Sequence, residues 1–202
     1  VREIAERAWL LEWEGDEPAA NARARAAAAA LRERAPAGLL DAVPAARTLL
    51  VVGGESFDPG PLAELEAASF EAEAARTPRT HEIRFAADGA DRDEIASRCG
   101  LTPQGFLLAF TGLTFTVGFL GFQPGFAYLY GLPAAFHLPR RPSPRAAVPA
   151  GSVALAGPYV GIYPGPTPGG WNLLGTTSRR LFDLRGDPPF LFSPGDRVRF
   201  VA

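Results

Sequence analysis

Three arginines, Arg140, Arg141 and Arg145, fall within six positions, with Pro142, Ser143 and Pro144 between them. Proline fixes its own φ and biases the preceding residue toward extended backbone, so the three guanidinium groups cannot scatter far. Each guanidinium is a planar fork of donors that matches carboxylate or phosphate oxygens two at a time. The cluster therefore reads either as a cationic wall for an anionic ligand or as a solvated loop with local ion pairs. A second candidate is Thr167-Pro168-Gly169-Gly170-Trp171, where successive glycines can turn backbone N–H groups toward an anion beside an aromatic wall. The alternative there is a tight turn whose tryptophan fills the core. Tyr163, in Gly161-Ile162-Tyr163-Pro164, can bring a phenol near that turn or pack with one satisfied hydroxyl.

Other chemistries are poorly served. All 20 basic residues are arginine, which removes a Schiff-base lysine and the lysine of a Walker phosphate loop. Ser152 sits in Pro149-Ala150-Gly151-Ser152-Val153, without the G-x-S-x-G elbow of a hydrolase, and only His81 and His137 could serve as imidazole bases. Two isolated histidines give no metal-ligand spacing, so no metal site is expected. His137 reads as a partly buried residue bonded to backbone, and Cys99 as a packing residue at a helix end. A single cysteine excludes an intrachain disulfide and fits a reducing compartment. The net charge of −2 offers no electrostatic reason to expect nucleic acid or an anionic membrane as partner. The opening VREIAERAWLLEWEG carries acids inside its apolar stretch, and no run of 18 apolar residues exists, so a cytoplasmic location is expected.

The elements that must position these residues follow from pattern. Ala8 to Trp13 reads as a strand, and Asp16 and Pro18 open an alanine-rich helix over Ala19 to Arg34. Leu39 to Val43 and Thr48 to Val52 read as a strand pair, Leu62 to Ala75 as a second helix, and Thr80 to Phe85 as a strand. That order, strand, helix, strand, strand, helix, strand, predicts a ferredoxin-like α+β domain over residues 1–86. Asp91 to Cys99 and Pro103 to Ala109 predict two short helices, a connector over 87–109. From 110 to 202 glycine and proline punctuate short β-rich runs, which predicts a closed or nearly closed β structure.

Several of these segments together carry a resemblance. Gly121-Phe122-Gln123-Pro124-Gly125-Phe126, Pro139-Arg140-Arg141, Pro144-Arg145, Val148-Pro149-Ala150-Gly151-Ser152-Val153, Gly161-Ile162-Tyr163-Pro164 and Pro168-Gly169-Gly170-Trp171 resemble one bacterial family. It is the B-type subunit of 5-oxoprolinase, also called allophanate hydrolase subunit 1 or sporulation-kinase inhibitor, a protein built on a carboxyltransferase domain. The likeness is dense from Gly121 to Asp183 and returns in the closing Pro194-Gly195-Asp196 stretch. It implies an α+β fold whose C-terminal half is a cyclophilin-like β-barrel. It implies ATP-driven opening of 5-oxoproline to glutamate, with ATP as co-substrate and with two partners, the larger C-type subunit of the same complex together with its A-type subunit. The names of relatives also leave open inhibition of a sensor histidine kinase and a role in a urea- or allophanate-processing enzyme.

On this resemblance Arg140, Arg141, Arg145 and Tyr163 are the expected catalytic residues. Phe122, Pro124, Phe126, Ser152, Thr167, Gly169, Gly170 and Trp171 are the expected binding residues for a small amide or lactam. The chain departs from the family pattern at Tyr159-Val160, where a glutamine-threonine pair is usual, and at Thr176, where arginine is usual. It also departs at Phe110 and Phe115, which replace a histidine and a tyrosine.

Overall fold

A computed structural model of the chain describes residues 1–68 and 77–201. The chain divides into two compact units, Val1–Thr77 and Pro78–Ala202.

In the first unit, β1 (Arg2–Ala5), β2 (Ala8–Glu12), β3 (Leu39–Pro44) and β4 (Thr48–Gly53) form an antiparallel sheet in the order β1-β2-β4-β3, accompanied by α1 (Glu17–Arg34) and α2 (Leu62–Ala67). Helix α1 starts where the Asp16 carboxylate accepts the Ala19 N–H, with Pro18 in the first turn, and ends with Arg32 and Arg34 beside its exposed carbonyls. Its buried stripe is Ala20, Ala24, Ala27, Ala28 and Leu31, the spacing of one helical face. Small side chains let the helix backbone lie close to Leu11, Ala42, Leu49 and Val51 of the sheet.

The ferredoxin-like expectation needs correction at its last strand. β5 (Thr80–Arg84) forms, but it pairs in parallel with β13 (Arg197–Val201) in the second unit. Its one buried residue, Ile83, belongs to the core there, and Glu82 faces Arg199. In the first sheet the edge beside β2 is taken by β1, joined to it by a tight turn with Arg7 at φ 60°. Such a hairpin closes at small entropic cost. All four β1 residues are exposed, so no apolar alternation advertised it. The expected extension of the second helix to Ala75 falls largely on residues 69–76, outside the described residues; Ala68 itself is extended.

The second unit adds α3 (Arg92–Arg98), α4 (Pro103–Thr111), β6 (Phe115–Leu120), β7 (Ala127–Tyr130), β8 (Arg145–Val148), β9 (Ser152–Ala156), β10 (Tyr159–Ile162), β11 (Thr167–Gly169) and β12 (Asn172–Thr176). Seven strands form one curled sheet in the order β12-β9-β10-β7-β6-β13-β5, and β8 and β11 form a separate two-stranded ribbon. The two edges of the curled sheet meet where Ala86 and Thr176 exchange backbone hydrogen bonds of 2.8 Å in both directions. Closure requires glycine on each side of this seam. A Cβ at Gly175 would overlap the Ala86 carbonyl, and one at Gly89 would overlap the Leu173 carbonyl.

Phe110, Phe115, Val117, Leu129, Leu155, Val160, Val198 and Phe200 fill the interior. The two short helices expected as a connector bury Ile95, Ala96, Phe106 and Phe110 in that same core. The barrel thus recruits β5 and both helices in addition to residues 110–202.

Gly175→Ala should lower the unfolding free energy by about 2 kcal/mol, because backbone must shift to admit the methyl group. Gly165→Ala, where nothing lies within 4 Å of the added atom, should change it little. Urea denaturation of the two variants checks the contrast.

Candidate functional site

Side chains alternate across a strand, and here the alternation separates two clusters. Leu129, Val153, Leu155, Val160 and Ile162 point into the barrel, while Tyr128, Ala154, Ala156, Tyr159 and Tyr163 pack on the opposite face with Phe126, Val148 and Trp171. The alanines leave room there for rings. Phe126 lies 5.3 Å from Tyr163 and 5.4 Å from Trp171, at interplanar angles of 76° and 87°. These are edge-to-face contacts that favour a rigid wall.

Against this wall lies a pocket of about 210 Å³. Phe122, Phe126, Tyr128, Tyr163 and Trp171 supply its aromatic lining, Arg140 its cation, and Pro144, Pro168, Gly169 and Gly170 the remaining border. Phe122 stands at the mouth with 60% of its surface exposed. It is the central residue of a three-residue turn closed by the Gln123 N–H on the Gly121 carbonyl, with φ at 70°. Left-handed backbone at a bulky residue costs on the order of 1 kcal/mol and persists only where the surroundings enforce it. Enforcement comes from the Gly121 N–H on the Phe126 carbonyl at 3.1 Å and from the Gln123 amide on the Gly165 carbonyl.

Tyr163 is buried, and burial pushes its phenol above the ordinary range against the opposing pull of a hydrogen bond from the Trp171 backbone and of nearby Arg140. Burial likewise raises Tyr128, against the pull of Arg140. Both side chains therefore face the pocket as neutral hydrogen-bonding groups at neutral pH. Gly169 is set by Tyr163, since a Cβ there would sit 2.5 Å from the phenol oxygen.

The expected wall of three guanidinium groups is not what forms. Arg140 lines the pocket, whereas Arg141 and Arg145 both donate to one oxygen of Asp91, at 2.8 and 2.7 Å. The other Asp91 oxygen accepts the Leu173 N–H at 2.7 Å. Neighbouring side chains on an extended segment point opposite ways, so the proline-stiffened loop that sends Arg140 outward sends Arg141 inward. The Arg141 N–H also donates to the Gly170 carbonyl at 2.7 Å, which ties the arginine loop to the glycine pair.

The remaining expected site residues flank the pocket without lining it. Pro124 lies in the turn that carries Phe122 and Phe126, Thr167 pairs with Val148 in the ribbon, and Ser152 is a buried strand residue whose carbonyl accepts the Tyr163 N–H. His81 is bonded to Asp196 at 3.0 Å and His137 to the Leu132 carbonyl at 2.9 Å. Cys99 packs partly against the barrel core, and burial raises its thiol above the ordinary range, away from a reactive thiolate.

Of the departures from the family pattern, Phe110, Phe115 and Val160 lie in the barrel core rather than at the pocket. Tyr159 stands 5.3 Å from the Tyr128 ring, and Thr176 donates to Asp88. Two residues of the candidate site escaped sequence reasoning. Tyr128 could have been found from its alternation with buried Leu129. Asp91 is expected only as the first residue of a short helix, and its side chain makes no cap bond; the hint of its role is a loop of three arginines holding no acid.

A closed barrel flanked by two helices, with an aromatic pocket bordered by one guanidinium and a glycine pair, has counterparts among known proteins. Residues 1–192 match the family described as carboxyltransferase domain, subdomain C and D, and the chain belongs to that family. It is 51% identical over 115 residues to the B-type subunit of 5-oxoprolinase from Escherichia coli O157:H7, a match covering 57% of this chain and 53% of that protein. It is 43% identical over 113 residues to the protein of the same name from Bacillus subtilis, covering 56% and 47%. The chain spans about half the length of the curated relatives it matches. Among solved structures, TTHA0988 superposes with a TM-score of 0.84 at 43% identity, covering 96% of this chain and 39% of that one. The Kluyveromyces lactis urea carboxylase shares the fold at 17% identity, with a TM-score of 0.72 over 99% of this chain and 21% of that enzyme.

Asp91→Asn should cost about 3 kcal/mol of stability, because two partly buried guanidinium groups lose their shared counter-charge; chemical denaturation measures it. The raised phenol of Tyr163 gives a second expectation. Its folded pKa exceeds the unfolded value of about 10, so its contribution to stability is full below that pH and is lost as pH rises through the folded value. Tyr163→Phe should flatten the alkaline decline in unfolding midpoint.

Proposed function

We propose that this chain is the B-type component of an ATP-dependent 5-oxoprolinase, acting with two further subunits, a larger one of C type and one of A type. The observation that carries this reading is the 51% identity, over 57% of the chain, to a protein named as that component of 5-oxoprolinase. The reaction converts 5-oxoproline, ATP and water to glutamate, ADP and phosphate. An unstrained lactam resists attack by water until its amide oxygen is activated, and phosphoryl transfer from ATP supplies that activation.

The pocket suits the smaller of the two substrates. Its 210 Å³ lies below the range typical of drug-sized ligands, which fits a five-membered ring and is small for a whole nucleotide. Arg140 meets the carboxylate of the ring compound, and Phe126 and Trp171 enclose the ring. The neutral phenol of Tyr163 and the backbone of Gly169 and Gly170 serve the amide, where charge develops. Phe122 closes the mouth. Arg141 and Arg145, read from the sequence as direct anion contacts, act in this scheme through Asp91 by fixing the loop that carries Arg140. No helix among the described residues is long and apolar enough to cross a membrane.

The test is reconstitution with the two partner subunits and measurement of ADP release that depends on 5-oxoproline. Omission of this chain should abolish that release, and equal release without it would refute the proposal. Arg140→Gln should raise KM for 5-oxoproline by about ten-fold or more, the loss of one charge-assisted contact, while leaving the unfolding midpoint unchanged.

A further inference from the structure

A second concavity, sharing no residue with the aromatic pocket, opens at the seam of the barrel. It measures about 480 Å³ and is bordered by Arg84, Arg179 and Arg180 together with Thr177 and Ser178. The arginines come from two segments far apart in sequence, the end of β5 and the loop after β12, and the seam holds those segments together. Besides the Ala86 and Thr176 exchange, the Thr177 hydroxyl donates to the Arg84 carbonyl at 2.6 Å and accepts the Arg179 N–H at 3.2 Å. The Thr177 N–H is held by the Gly151 carbonyl at 2.8 Å. The base of the concavity is thus backbone fixed from three directions.

Charge balance at this concavity is uneven. Arg141 and Arg145 share Asp91, Arg92 pairs with Asp93, and Arg98 with Glu94. Glu82, the one acid on the border of the concavity, is paired with Arg199. At the seam Arg180 is paired with Asp183, but Arg84 and Arg179 have no carboxylate partner among the described residues. Two exposed guanidinium forks without carboxylate partners, bordering the same concavity as the hydroxyl groups of Thr177 and Ser178, give it a local excess of positive charge that suits an anion. A single carboxylate satisfies one fork. Both forks together match the multiple oxygens and multiple charges of linked phosphates.

We propose that this concavity binds an oligophosphate, such as the phosphate tail of a nucleotide, through Arg84 and Arg179 with help from Ser178 and Arg180. The site reads phosphates, so inorganic pyrophosphate is its smallest adequate ligand. Because the three arginines are exposed, binding weakens as salt rises.

Calorimetric titration of the chain alone tests this without reference to catalysis, so its outcome stands apart from the 5-oxoprolinase reading. Pyrophosphate and ATP should both bind saturably at about 0.1 M salt, and citrate should bind at least ten-fold more weakly. The double variant Arg84→Gln/Arg179→Gln should weaken both phosphate ligands by about ten-fold or more, the scale of one lost charge-assisted pair. Ser178→Asp, a single exposed change, should do the same by placing a negative charge in the concavity. Arg140→Gln should leave binding unaltered. Absence of saturable binding overturns the proposal, as do binding of ATP without pyrophosphate, parity of citrate with pyrophosphate, and undiminished binding in the seam variants.

Discussion

The pocket side of the barrel unit is organised around the buried carboxylate of Asp91. Asp91 is 4% exposed and is met by two guanidinium groups and a backbone N–H. A lone carboxylate at that depth would be costly, and so would either arginine without it. Together they tie four segments into one knot: the chain leaving the seam, the loop carrying Arg141, the first residue of β8 at Arg145, and β12 at Leu173. The Asp91 N–H closes the circuit on the Leu173 carbonyl at 3.0 Å. With that knot in place the loop backbone is fixed, and Arg140, next to Arg141 on an extended segment, has only the pocket side to occupy.

The aromatic wall follows a different physical rule. Strand alternation puts large aliphatic and phenylalanine side chains inside the barrel and leaves the other face with rings over Ala154 and Ala156. A pocket built this way is rigid, because edge-to-face rings at about 5 Å resist rotation more than aliphatic chains do. Partial burial in this wall raises the phenols of Tyr128 and Tyr163 above their ordinary range and strengthens any hydrogen bond they make to a ligand. The strained backbone at Phe122 fits the same pattern of a mouth residue held in place by its neighbours rather than by its own preference.

The seam shows how glycine placement serves closure rather than flexibility. Gly89 and Gly175 are needed because carbonyl oxygens from the facing segment occupy the space a side chain would take. Their position also explains why the strand at Thr80–Arg84 belongs with the barrel. The segment that follows it must lie against β12 to close the sheet, which leaves the first sheet to recruit its edge strand from the immediately adjacent residues Arg2–Ala5.

Sequence alone determined much of this protein, wherever the controlling interaction is local. The capped alanine helix at Glu17–Arg34, the strand pair at Leu39–Pro44 and Thr48–Gly53, the two short helices before the barrel, and the turn-rich β half all follow from caps, prolines and alternation within a few residues. The motifs also named most of the pocket, since Arg140, Tyr163, Gly169, Gly170, Trp171, Phe122 and Phe126 do meet around one cavity. What only the tertiary structure decided rests on partners distant in the chain. Nothing near Arg141 or Arg145 in sequence announces Asp91, some 50 residues earlier, and nothing in Thr80–Arg84 announces Arg197–Val201. Charge pairing and sheet registry across such separations are settled by which groups folding leaves buried side by side, and a buried charge takes whatever counter-charge the fold brings to it.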